Sequence, residues 1–217
     1  MSTSCETARL TALRKLLAQR EVDGLLVSGP SSRRYLSGFT AEDLDCGMLL
    51  ITQTAAVLLT DFRYQLWAQQ EAAAFQIVIY KVSLGETLME LLKEFQVQRL
   101  GFEAAHLTYR SYQRLTETAA STGLRVEWRP LEGVVEELRE VKGPEELTAM
   151  RRALELSEAV LRRISRELAP GQTERQVAWE IERGLREGGG RVPGLSPHRG
   201  RRGKQRPAAP SAGGPCP

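Results

Sequence analysis

The sequence predicts an α/β fold in which helices cover a mixed sheet, and three observations carry that prediction. Short apolar runs such as LLVS, MLLIT and VLLT alternate with longer stretches in which leucines recur at helical spacing, the pattern of strands and helices packed in layers. Two of the runs, 48–52 and 56–60, are separated only by Gln53, Thr54 and Ala55, which suits a hairpin, so the sheet cannot be purely parallel. Beyond residue 143 only helical patterns remain.

Thr3 and Glu6 have the spacing of a capping box, and Leu10, Leu13, Leu16 and Leu17 share one helical face, so a first helix is expected over 4–19. Asp23 and Gly24 turn the chain into a strand at 25–28. The stretch from Gly29 to the acidic Glu42, Asp43 and Asp45 reads as a polar loop with turn-forming serines. After the hairpin come a helix at 62–71, a strand at 75–80, a helix at 86–95 with Leu88, Leu91 and Leu92 inward, and a strand at 99–102. A helix at 108–121 and a strand at 124–128 complete a domain over 1–129, and 130–143 reads as a linker. Pro144 suits a first helical position, Pro170 and Gly171 stop that helix near residue 168, and Thr173 caps another that ends at Gly188. These two helices over 144–190 read as the start of a second domain. Leu154, Leu161, Ile164, Val177, Ile181 and Leu185 are expected to expose an apolar stripe there.

The 30 basic and 27 acidic residues nearly balance, but 191–217 holds six basic residues, no acidic one and six of the ten prolines. Without aromatic residues or apolar periodicity, that tail is expected to be disordered. Its basic charge raises nucleic-acid binding as a function, yet no aromatic residue interleaves for base stacking, so nucleic acid is not the expected partner. No apolar run is long enough to span a bilayer and no signal peptide opens the chain, so a cytoplasmic protein is expected. Cys5, Cys46 and Cys216 form neither a disulfide framework nor a zinc pattern, and reduced thiols are expected.

The succession DGLLVS, RYLSGFT, LLIT and LLTDFRY, followed by LREVKGPEELTAMRRALELSEAV and PGQTERQVAWEIERGLREGG, resembles the creatinase and Xaa-Pro aminopeptidase or dipeptidase family of pita-bread metallopeptidases over residues 10 to 189. The resemblance implies the amino-terminal domain of that family and the opening of its catalytic domain. It implies hydrolysis of the bond before proline in proline-containing peptides, by water held between two divalent ions, manganese or cobalt. It also implies a homodimer in which loops of this domain wall the partner subunit's site. The family's five metal ligands, two Asp, one His and two Glu, correspond to positions past the point where the resemblance stops, so the chain is expected to be inactive. Codons for 191–210 read one nucleotide out of register allow GSRAFPPIVAVGENSALPH, similar to what the family carries after REGG. A frameshift near Gly190 is therefore expected, and the coding DNA tests it.

No catalytic residue and no metal ligand is assigned. His198 lies in the tail, and His106 reads as a surface or capping histidine. No GxSxG elbow surrounds Ser28, Ser31, Ser32 or Ser37. Asp61 reads as a helix cap and Arg63 as a carboxylate partner. The resemblance makes Tyr35, Phe39, Arg63 and Tyr64 the candidate substrate-contacting residues. Ser32, Ala41 and Glu42 depart from the family's usual residues, so specificity is not carried over. Alternative readings are a noncatalytic binding or dimerisation module and a creatine amidinohydrolase-like fragment.

Overall fold

The computed structural model of the chain describes residues 3–43 and 46–190. The readings made of the tail, of Asp45 and of a capping box at Thr3 fall outside the described residues or side chains. The chain divides into two compact units, one ending at Val141 and the other beginning at Lys142.

The first unit holds a mixed sheet of six strands. They are β1 (Gly24–Val27), β2 (Met48–Thr52), β3 (Ala56–Thr60), β4 (Gln76–Ile79), β5 (Arg99–Glu103) and β6 (Glu127–Leu131), in the order β4-β3-β2-β1-β5-β6. β2 pairs antiparallel with β1 and, through the expected hairpin, with β3. The other three pairings are parallel. Helices α1 (Thr3–Gln19), α2 (Pro30–Ser37), α3 (Gln65–Glu71), α4 (Leu84–Glu94), α5 (Tyr109–Ser121) and α6 (Val134–Glu140) cover it.

Side chains alternate across a strand, so each central strand here feeds two cores. Leu25, Val27, Leu49, Ile51 and Leu58 join Leu13 and Leu17 of α1, Leu36 of α2 and Val135 of α6 on one face. Leu26, Leu50, Val57, Leu59 and Leu100 join Leu88 and Leu92 of α4 and Leu115 of α5 on the other. Burying each such leucine stabilises the fold by roughly 1.5–3 kcal/mol relative to exposure.

Three expectations need correction. The polar loop after β1 contains α2: Pro30 opens that helix at a position where its missing N–H costs nothing, and Gly38 closes it in the left-handed conformation at φ 78°. Its inner face carries Ser32, Arg33 and Ser37 beside Leu36, so it has no apolar stripe to betray it. The last strand is 127–131, three residues later than expected. Pro130 is tolerated in it because β6 is an edge strand, where an N–H facing away from the ladder is not needed. The stretch read as a linker holds the end of β6 and all of α6, whose Val134 and Val135 are buried in the first core.

The second unit consists of α7 (Pro144–Glu167) and α8 (Glu174–Glu187), with Pro144 in the first turn and Thr173 as the cap, both as expected. Val160, Ile164 and Gly184 are buried. Ile164 therefore leaves the expected stripe, and Val177, Ile181 and Leu185 are half-buried, while Leu154 and Leu161 remain exposed.

Candidate functional site

The loop between α2 and β2 and the chain leaving β3 meet around Phe39, and a buried arginine organises the first of them. Arg33 is wholly buried and donates from Nη1 to the Gly47 carbonyl at 2.7 Å and from Nη2 to the Ala41 carbonyl at 2.7 Å. Nη2 also reaches the Asp43 carbonyl and Cys46 Sγ, so one guanidinium gathers the loop between α2 and β2. Burial pushes the Arg33 pKa down, opposed by Cys46, Glu103, Tyr64 and Asp43. Gly47 lets this loop close: at φ 133°, a Cβ there would lie 2.3 Å from the Leu59 carbonyl oxygen.

Phe39 is fully buried and takes Tyr64 and Trp67 edge-on, at centroid distances of 6.3 and 6.0 Å. Tyr64 and Trp67 come from the chain that leaves β3, through a 3-10 turn at Phe62–Tyr64 into α3. Asp61 caps that turn by accepting from the Arg63 amide at 2.8 Å, and it also takes the Arg63 guanidinium through Nε and Nη2. The hydrogen-bonded guanidinium, helped by the Arg63 amide and Tyr80, holds the Asp61 carboxyl below its usual range. Tyr64 Oη donates to Asp43 Oδ2 at 2.9 Å, and the Arg63 guanidinium lies 5.3 Å from the Tyr64 ring centroid.

Glu71, at the end of α3, accepts from the Thr40 amide at 2.8 Å and from the Thr40 hydroxyl. Burial alone would raise its pKa, but these bonds, one from Trp67 and the charge of Arg34 together hold it low. The constellation thus presents a rigid aromatic wedge with acid–arginine and acid–tyrosine pairs at its rim. The same short segment exposes Phe62 at 77% and Leu66 at 73%. Its charged and aromatic groups present hydrogen-bonding and ring faces at the surface. They include no nucleophile–base pair and no group of three metal donors among the described residues.

Of the four residues chosen from sequence, the structure brings Phe39, Arg63 and Tyr64 together and places Tyr35 elsewhere. Arg9 lies over the Tyr35 ring at 4.0 Å, and Tyr35 Oη donates to the Leu138 carbonyl of α6. Tyr35 therefore joins α1, α2 and α6. Arg63 finds its carboxylate partner two residues back, in Asp61 itself. Sequence reasoning missed Trp67 and Glu71, which sit 28 and 31 residues from Phe39 and Thr40, beyond the reach of any local pattern. Two surface grooves, of about 740 and 400 Å³, are lined respectively by residues around Arg99 and Trp128 and around Tyr80 and Arg114, and contain none of the four.

Among the described residues, three metal-donor side chains converge in one place, Glu103, His106 and Glu136.

Comparison with known proteins places these features in context. A family model described as the creatinase/prolidase N-terminal domain matches residues 9–141. An uncharacterised peptidase of Bacillus subtilis is 32% identical over 181 residues, covering 83% of this chain and 49% of that protein. The solved Xaa-Pro dipeptidase from Bacillus anthracis superposes with a TM-score of 0.76 at 31% identity, covering 84% of this chain and 49% of that one. The N-terminal domain of a cytoplasmic peptidase, PepQ, from Mycobacterium tuberculosis is 32% identical with a TM-score of 0.54, over 60% of this chain and 98% of that one. The chain spans about half the length of the curated relatives it matches.

Proposed function

This chain belongs to the creatinase/prolidase N-terminal domain family, and from that premise we propose that it is the lead half of an Xaa-Pro peptidase-like protein, without its own hydrolytic centre. The observation that carries the reading is the donor inventory: among the described residues, imidazole and carboxylate groups converge in a single trio within the lead unit. Hard or borderline divalent ions acting as a pair need several convergent ligands, and a single trio among the described residues supports this reading. The domains proposed are a lead domain through Val141 and a helical segment from Lys142 that opens a peptidase domain.

The role left to the lead domain is recognition. Tyr64, Trp67 and Arg63 stand on a 3-10 turn and a short helix braced by Asp61, Glu71 and the buried Phe39, and in a homodimer this rim would wall the partner subunit's peptide site. Proline-containing peptides are the ligand class proposed, and a cytoplasmic location is proposed with them. No helix of the described residues is long and apolar enough to cross a membrane.

The test is hydrolysis of an Xaa-Pro dipeptide and an Xaa-Pro-initiated tripeptide by the full 217-residue chain with added manganese. The expected outcome is no turnover above a protein-free blank, and turnover near that of a full-length relative overturns the reading. Exposed Phe62 and Leu66 favour a second reading, a noncatalytic dimerisation module. Light scattering on the full chain, with Leu66→Ser as the comparison, separates a dimer held by this segment from a monomer.

A further inference from the structure

We propose that Glu103, His106 and Glu136 form a binding site for one divalent ion of the zinc class, held on the lead domain and independent of any peptidase centre. The three residues come from three elements: the end of β5, the turn that follows it, and the first turn of α6. A ligand atom from each lies within 4.8 Å of the others.

Glu103 is the fixed member. It is 7% exposed, and its Oε2 accepts from the backbone amides of Ser28 and Gly29 at 2.8 and 2.7 Å, just past the end of the parallel neighbour β1. Its Oε1 is buried and meets no donor. A buried carboxylate oxygen without a partner is costly, and a cation is the group that satisfies it best. The two amides act as an outer shell, orienting the carboxylate so that Oε1 is left to coordinate.

His106 is brought back toward Glu103 by a tight turn, in which the amides of His106 and Leu107 donate to the Glu103 carbonyl at 3.1 and 2.9 Å. Its ring packs on bare backbone, since a Cβ on Gly29 would lie 2.6 Å from His106 Cδ2. Glu136 sits in the first turn of α6, anchored by buried Val134 and Val135, and it pairs with Arg139 only at a long 3.9 Å.

The donor types choose the ion. One imidazole nitrogen with two carboxylate oxygens suits zinc and its first-row neighbours, whereas calcium and magnesium prefer oxygen throughout. Zinc holds its ligands at about 2.0–2.1 Å, and His106 and Glu136, both exposed, are free to adjust onto the fixed Glu103. A fourth position stays open to water.

The experiment is calorimetric titration of zinc chloride into the metal-free full chain, with thermal unfolding followed in parallel. One equivalent is expected to bind and to raise the unfolding midpoint by several degrees. His106→Ala and Glu136→Gln each weaken binding about tenfold or more, at least the cost of removing an orienting neighbour of a ligand. His198→Ala, in the tail, leaves that event unchanged. Both ligand variants alter exposed side chains, and their unfolding midpoints without metal confirm that they fold; if one does not, the other carries the test. No saturable zinc binding, or binding that survives both substitutions at parental affinity, overturns the site. Loss with His198→Ala instead would place the ion in the tail and overturn it too.

Discussion

The unit ending at Val141 buries both faces of its sheet, whereas the unit beginning at Lys142 buries a single seam between two helices. In the first, successive residues of β1 and β2 point into different cores and nearly every one is sealed. In the second, Val160, Ile164 and Gly184 close the seam. Leu147, Leu154, Leu161 and Leu168 recur every seven residues and remain 42–60% exposed. A sevenfold leucine repeat is the spacing of a helix face made to meet another surface. The difference teaches that a helix can be fully specified by caps and periodicity while its packing is not: α7 is well begun and well ended, yet its apolar face is largely uncovered.

The largest effect expected from this contrast is at Arg33. Its replacement by Leu removes the donors that satisfy the Gly47, Ala41 and Asp43 carbonyls and leaves them buried. A loss of about 3–5 kcal/mol is expected in the first unit, as for breaking other buried charged networks. Urea unfolding followed at Trp67 and Trp128 against helix content measures it. A loss below about 1 kcal/mol would show that the loop holds itself.

One substitution applied in both units sharpens the comparison. Leu50→Ala, at a wholly buried position of β2, is expected to cost about 2–5 kcal/mol, and Leu161→Ala, half exposed on α7, within about 0.5 kcal/mol. Equal costs would mean that Leu161 is covered in solution, by a second copy or by another part of the chain. Limited trypsin digestion reads the same difference without mutation: among the described residues, cuts are expected within 143–190 before any in the first unit, leaving a fragment that ends near Lys142. Resistance throughout 143–190 breaks the comparison.

Legibility did not follow that divide but the reach of the signal. Hairpin, central strands and the capped helices α7 and α8 were readable because apolar periodicity, Pro144 and Thr173 are local signals. The helix α2 was not, since its buried face is Ser32, Arg33 and Ser37, and its stability comes from partners outside it: carbonyls at Ala41 and Gly47, eight to fourteen residues on. The candidate site was half legible. Arg63 and Tyr64 stand out beside Asp61 at a strand end, but Phe39 meeting Trp67, and Glu136 meeting Glu103 and His106, depend on long-range packing. Tyr35, the sixth residue of α2, stands apart from the other three because its ring meets Arg9 and its hydroxyl meets Leu138.

The smallest effects concern two carboxylates of the first unit that differ in sign. Asp61 is nine-tenths buried at its side chain and paired with Arg63, and its folded pKa lies below the ordinary 3.8. Its contribution is therefore fully present above pH 3.8 and is lost as pH falls through the folded value. Glu6, also buried, has its pKa raised above 4.5, chiefly by burial, with the amino terminus and Arg9 opposing. Its contribution is present below pH 4.5 and is lost as pH rises through the raised value. Asp61→Asn keeps a capping oxygen and loses the ion pair with a half-exposed arginine, so it should destabilise by about 0.5–1 kcal/mol at neutral pH. That deficit should shrink as pH falls below 3.8 toward the lower folded value, through which the parent carboxylate becomes protonated. Glu6→Gln should do the reverse, stabilising slightly at neutral pH and making no difference in acid. Urea midpoints at pH 7 and pH 3 for both variants test the pair, and a deficit of the same sign and size at both pH values for either would show that its charge is not what matters.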